Sequence, residues 1–273
     1  MKGYFRITRP VNGTMGLLAT FLSAFIGNAV FYKSYLIQVI LAAVVVFLVT
    51  SGGNVLNDIL DADTDKINHP GRPIASGSIS PRNASYYFFL LFALPVAVAG
   101  LFLPFVSLLI VLVAEALLVT YELRTKGSGL AGNVSISILV GLIFIFGGTV
   151  VNSVLRMVLL FLMASLATVS RELIKDIEDI KGDVGRTTFP KRYGIDAAYY
   201  LSFACIVVAI SISYLPYHLG IFSYAYLIPV AVADAVFVFS AAVARSKPTV
   251  GQRLSKIAMI IGLVAFASGA FIP

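Results

Sequence analysis

The chain has 273 residues, 59% hydrophobic and 12% charged, with a mean hydropathy of +0.95 and a formal net charge of +7. Soluble domains carry about twice that charged fraction, so composition excludes a soluble globular protein and indicates an integral membrane protein. A single cysteine, Cys205, excludes an intramolecular disulfide and a thiolate metal cluster.

Met1 to Pro10 is basic and leads into the first apolar segment, which is read as a retained span rather than a cleaved signal. Segments long enough to cross a bilayer follow at 14–32, 35–56, 84–103, 105–121, 130–151, 154–174, 197–215, 221–243 and 252–272, nine in all. The third and fourth meet at Leu103-Pro104, and the seventh and eighth at Pro216 to Gly220, so both pairs form tight hairpins. With no Trp, the interfacial aromatic belts must come from Tyr and Phe. Nine crossings put the N-terminus and loops 57–83, 122–129, 175–196 and 244–251 on one side. Eighteen of the 20 Lys and Arg residues fall on or near that side, the exceptions being Lys33 and Arg156. By the positive-inside rule this face is cytoplasmic and the C-terminus lies outside. The same placement accounts for the basic balance without a nucleic-acid partner.

Two of the cytoplasmic stretches carry one carboxylate spacing. Asp58-x-x-Asp61-x-x-x-Asp65 follows the second span, and Asp176-x-x-Asp179-x-x-x-Asp183 follows the sixth. On a helix each set of three falls within an arc of about 60°, so its carboxylates face one way. Asn57 lies beside Asp61 on this wheel. Asp63 falls about 140° from Asp58, on the opposite face, and is excluded. Glu172 extends the second stripe, and Glu178 points away. Converging carboxylates repel unless a cation sits between them, and oxygen donors suit Mg²⁺. Single aspartates at span ends simply face water, but six of 13 acidic residues in matched spacing imply a metal-chelated diphosphate.

Cations follow each cluster: Lys66, Arg72 and Arg82 after the first, Lys181, Arg186, Lys191 and Arg192 after the second. They suit phosphate oxygens that a metal leaves free, although orientation in the membrane explains most of them one by one. Arg124 and Lys126, after Tyr121, offer further donors. Gly52-Gly53, Gly127-x-Gly129, Gly132 and Gly147-Gly148 lack phosphate-loop spacing and are read as close helix packing. His69 and His218 have no partner at ligand spacing. Glu115 and Asp234 sit deep in apolar segments, as functional groups or as neutral hydrogen-bonded ones.

Taken together, Asn57-Asp58-x-x-Asp61-x-x-x-Asp65 with Lys66-Ile67-Asn68 and Arg72-Pro73-Ile74 resembles the first signature of the UbiA superfamily of intramembrane prenyltransferases. Asp176-x-x-Asp179-x-x-x-Asp183 with Gly185-Arg186-Thr187 and Pro190 resembles the second. Arg9-Pro10-x-Asn12, Tyr121, Lys126 and Gly132-Asn133 are similar to further family positions, and the likeness runs the length of the chain. It implies an all-α membrane protein in one domain, 1–273: nine transmembrane helices around a central cavity with a polar cytoplasmic cap. It also implies that Asn57, Asp58, Asp61, Asp65, Asp176, Asp179 and Asp183 hold Mg²⁺ and, through it, the diphosphate of an isoprenyl donor. Asn12, Arg72, Lys126, Asn133 and Arg186 would bind donor phosphate. Asp61, Asp179, Tyr121 and Lys126 would act in catalysis.

The stretch from Asn57 to Ser80 resembles the archaeal digeranylgeranylglyceryl phosphate synthases within that family. This implies transfer of a geranylgeranyl group from geranylgeranyl diphosphate to the free hydroxyl of geranylgeranylglyceryl phosphate, forming the second ether bond of archaeal membrane lipid. Aromatic acceptors of the quinone-precursor type are the alternative within the family. A CDP-alcohol phosphotransferase would need Asp-Gly and Ala-Arg dipeptides that neither cluster has. A cation-coupled transporter would favour carboxylates at mid-membrane over span ends.

Overall fold

A computed structural model describes residues 2–28, 32–180 and 187–271. Among the described residues the secondary structure is helical, with no strand. Nine helices among the described residues are long and apolar enough to cross a bilayer: Pro10–Gly27, Lys33–Leu60, Pro81–Phe102, Phe105–Thr125, Leu130–Val150, Val154–Asp179, Ile195–His218, Tyr224–Ala244 and Pro248–Phe271. Every expected span is present, with shifted ends. The first starts at Pro10 rather than 14, since proline at the first helical position has φ preset and gives up only an N–H that would go unbonded. It closes at Gly27, five residues early.

The second and sixth spans run past their apolar stretches. Helix α3 (Leu36–Leu60) and α8 (Val154–Asp179) have 25 and 26 residues. At 1.5 Å rise per residue they are roughly 38 and 39 Å long, against about 30 Å of hydrocarbon. Their polar ends therefore reach beyond the apolar layer, and these ends carry the carboxylates.

The chain forms two compact units. The first comprises Met1–Leu123 and Phe146–Ser153. It holds α1 (Lys2–Ile7), α2 (Pro10–Gly27), α3, α4 (Ala62–Asn68), α5 (Pro81–Phe102), α6 (Phe105–Thr120) and the end of α7 (Leu130–Val150). Helix α3 packs on α2 and on α5. Gly52 makes the second contact close: a Cβ there would lie 2.5 Å from the Phe92 ring. Gly147 on α7 does the same against α2, where a Cβ would meet Ser23 at 2.7 Å and the Thr20 carbonyl at 2.9 Å. Ser107 and Thr149 share a buried 2.7 Å hydrogen bond. Because backbone cannot move aside, Gly147→Val should cost about 1–3 kcal/mol. The thermal midpoint in detergent reads this, with Gly262→Ala, in open space, as the neutral comparison.

The second unit comprises Arg124–Ile145 and Val154–Pro273. The short α9 (Phe189–Tyr193) precedes α10 (Ile195–Ser213); α8 packs on α10, and α12 (Leu227–Ala244) packs on α13 (Pro248–Phe271). Buried serine pairs join each contact, Ser170 to Ser202 at 2.8 Å and Ser240 to Ser255 at 2.7 Å. The hairpin after α10 is as expected: α11 (Leu215–His218) ends at a left-handed Gly220, and the Ile221 and Phe222 N–H groups donate to the Pro216 carbonyl. Asp234 takes the hydrogen-bonded alternative, accepting from Ser213 Oγ at 2.8 Å between α10 and α12. Glu115 has one buried carboxyl oxygen, Oε1, without a hydrogen bond.

Candidate active site

The first cluster is built where α3 hands over to α4. The i→i−4 bonding continues through the junction, with Asp61 N–H to the Asn57 carbonyl at 2.9 Å and Asp65 N–H to the Asp61 carbonyl at 2.8 Å. Helical phase is therefore kept, and Asp58 and Asp65 turn inward, only 2% and 3% exposed. Asp63 is on the opposite face, exposed and bonded to Lys66 at 2.8 Å. The hydrogen bond from that ammonium holds the Asp63 carboxyl below the usual carboxylate range.

Buried carboxylates need cations or donors close by. Asp65 is met by Arg72 Nη1 at 2.5 Å, and the same nitrogen lies 3.6 Å from Asp58 Oδ1. Asp58 Oδ1 also accepts from Arg9 Nη2 at 2.5 Å. Arg72 therefore bridges two carboxylates seven residues apart. It is carried there by a turn in which Ser76 N–H bonds the Arg72 carbonyl and Ile79 N–H bonds the Pro73 carbonyl. Burial of Ile74 and Ile79 beside Ile7, Val55, Ala84 and Leu91 pins that turn. Of the cations after this cluster only Arg72 reaches it. Lys66 serves Asp63, and Arg82 donates to the Tyr86 hydroxyl at 3.1 Å on the exposed surface.

Asn57 is the hub of the polar network. Its Oδ1 accepts from Arg9 Nη2 at 3.0 Å, and its Nδ2 donates to both Glu122 oxygens at 3.2 Å and to Asp61 Oδ2 at 3.4 Å. Glu122 belongs to a π-helical turn, Tyr121–Thr125, that continues α6, and such turns are frequent at functional sites. Tyr121 opens that turn and is half-buried. Asn12 is exposed on the first turn of α2. Arg9 and Glu122 were not among the expected site residues. The available signal for Glu122 was an acid in an otherwise basic loop, directly after Tyr121. For Arg9 it was membership of the Arg9-Pro10-x-Asn12 string.

The second cluster lies at the end of α8, where Leu173 and Ile177 are buried with Ala198. Asp176 is half-buried and accepts from Asn133 Nδ2 at 2.9 Å, while Asp179, the last helical residue, is exposed. Glu172, one turn earlier, is buried between Arg171 and Lys175, the latter at 3.4 Å. Lys126 is half-buried in a loop with Gly127 and Gly129, both at positive φ (81° and 73°). These two glycines serve a turn, not the helix packing expected of them. The turn is tied down by the Thr187 N–H, which donates to the Gly127 carbonyl at 2.8 Å. Asp183 and Arg186 fall outside the described residues. Among the described residues, no three acidic, His or Cys side chains converge closely enough to hold a metal ion as they stand.

A model of the UbiA prenyltransferase family matches residues 16–271. The chain belongs to that family. It is similar to a digeranylgeranylglyceryl phosphate synthase from Methanosphaera stadtmanae, 37% identical over 277 residues, covering 99% of this chain and 100% of that protein. A solved structure of a digeranylgeranylglyceryl phosphate synthase, 33% identical, superposes with a TM-score of 0.84 over 98% of each chain. A UbiA homolog from Archaeoglobus fulgidus bound to DMAPP and Mg²⁺ has the same fold, with a TM-score of 0.64 at 17% identity over 97% of this chain and 99% of that one. The UbiA likeness read from the two aspartate signatures is borne out across nearly the whole chain.

Proposed function

We propose that this prenyltransferase moves a geranylgeranyl group from geranylgeranyl diphosphate to the free hydroxyl of geranylgeranylglyceryl phosphate, with Mg²⁺. The observation that carries the reading is Arg72 bridging Asp58 and Asp65: a buried anionic pair already arranged around a cation. Relatives named for this reaction, similar from end to end, support the choice of acceptor. All side-chain donors in the two clusters are oxygens, which suits Mg²⁺ better than a softer metal. The Mg²⁺-bound A. fulgidus homolog is in keeping with this.

In this reading Asn57, Asp58, Asp61, Asp65, Asp176, Asp179 and Asp183 hold the metal. When bound, Mg²⁺ neutralises charge on the diphosphate as it leaves. Arg72, joined by Arg9, turns guanidinium nitrogens from carboxylate to phosphate oxygens, a match of planar donors to tetrahedral acceptors. Asn12, Lys126, Asn133 and Arg186 complete the phosphate contacts, and Tyr121 lies near the reacting carbon or the leaving group. The allylic C–O bond breaks with both electrons on the diphosphate, and the acceptor hydroxyl oxygen forms the new ether bond and passes its proton to the released diphosphate. The prenyl tail occupies an apolar cavity beneath a polar cap. The N-terminus and both clusters face the cytoplasm and the C-terminus faces outward, an orientation the distribution of Lys and Arg supports.

A panel assay tests the proposal. Purified protein with Mg²⁺ and geranylgeranyl diphosphate is offered geranylgeranylglyceryl phosphate or aromatic acids, and products are read by mass spectrometry. The expected product is the doubly prenylated glycerol phosphate. A prenylated aromatic acid with no ether product would reject the acceptor. EDTA should abolish turnover and added Mg²⁺ should restore it.

A further inference from the structure

We infer that Glu122 is a positioning residue for the first carboxylate cluster, acting through the side-chain amide of Asn57; the inference rests on the Mg²⁺ reading above. An amide side chain can present either its oxygen or its NH₂ group in a given direction. A carboxylate accepts only, so it selects the NH₂ end. Both Glu122 oxygens lie 3.2 Å from Asn57 Nδ2. The opposite end, Oδ1, is thereby turned toward Arg9, whose Nη2 touches Asn57 Oδ1 at 3.0 Å and Asp58 Oδ1 at 2.5 Å. Two oxygens thus converge on one cationic group, and Glu122 stands behind the first of them. The backup is weak: Asp61 Oδ2 is 3.4 Å from the same Nδ2. Without Glu122 the amide is free to rotate and offer hydrogens where a cation needs a lone pair.

The π-helical turn supplies the placement. Helix α6 passes into that turn at Tyr121, whose N–H still reaches the carbonyls of Leu117 and Leu118. Glu122 is the second residue of the π-helical turn, and its carboxylate meets a residue 65 positions earlier in the chain.

Mn²⁺ binding to the purified full-length chain in detergent, followed by the EPR signal of free Mn²⁺, tests this without turnover. Glu122→Ala should raise the half-saturating Mn²⁺ concentration by about tenfold or more. Glu122→Gln retains an acceptor for Asn57 Nδ2 and should recover most of that loss. Asn57→Ala should weaken binding similarly, and adding Glu122→Ala to it should change binding by less than about twofold, because residues acting through one another are not additive. Should Glu122→Ala fail to fold, Glu122→Leu, which keeps bulk but has no acceptor, replaces it in every comparison. The inference is overturned if Glu122→Ala binds Mn²⁺ as wild type does. It is equally overturned if the loss is as large in the Asn57→Ala background, if Glu122→Gln is no better than Glu122→Ala, or if wild type binds no Mn²⁺. The two readings fail separately: an Mn²⁺ pattern as expected in a chain that makes no ether lipid rejects the acceptor alone.

Discussion

Asp61→Ala and Asp179→Ala, each alone, should lower geranylgeranyl transfer by about 10²–10³-fold at saturating Mg²⁺, the scale on which a lost transition-state stabiliser is felt. The protein should remain folded in both cases. Asp61 supports the α3–α4 junction through its backbone, whose N–H and carbonyl make the 2.9 and 2.8 Å bonds to Asn57 and Asp65. Alanine keeps both. Asp179 is the exposed last residue of α8, so removing its carboxylate uncovers no apolar core. Helicity by circular dichroism and the thermal midpoint should match wild type while product falls. Retained turnover in both variants would remove these carboxylates from the metal site.

Arg72→Ala should act differently, harming stability as well as turnover. Its guanidinium serves two carboxylates whose side chains are 2% and 5% exposed, while its own side chain is 28% exposed. Removing one partner of a buried pair leaves an uncompensated charge, at a cost of about 3 kcal/mol. Arg9 still serves Asp58, so most of the cost falls at Asp65. Arg72→Ala combined with Asp65→Asn should therefore regain much of the lost thermal stability, because the stranded charge is gone. It should not regain activity, because both a ligand and a phosphate contact are then missing. Recovery of turnover in the double variant would count against Arg72 as a phosphate contact.

The apolar architecture was legible because each crossing is a long, predominantly apolar run, and hydropathy averages over the few polar residues within it. Helix ends were not, since helical hydrogen bonding does not stop where polarity begins. Asn57 and Asp58 are still inside α3, and Arg171 to Asp179 are still inside α8. The exclusion of Asp63 was readable from helical phase, because the α3–α4 junction keeps that phase. Choosing among cations was not a matter of sequence distance. Lys66 adjoins Asp65 yet pairs with Asp63 at i−3, whereas Arg72 arrives through a turn whose geometry depends on where Ile74 and Ile79 are buried. Glu122 escaped notice because its partner, Asn57, is remote in sequence.

The backbone of Arg9 has φ 48° and ψ 65°, a left-handed conformation that costs a non-glycine residue about 1–2 kcal/mol. Glycine would adopt it freely but carries no guanidinium for Asp58. Lysine would keep the positive charge but loses the fixed orientation of the planar guanidinium, whose Nη2 meets Asn57 and Asp58 together. Position 9 thus faces two incompatible selective demands, conformational ease and electrical neutralisation, and the second prevails. Evolutionary drift at this position should accordingly be slow, and a relative that carries glycine there would leave Arg72, 3.6 Å away, to serve Asp58 as well as Asp65.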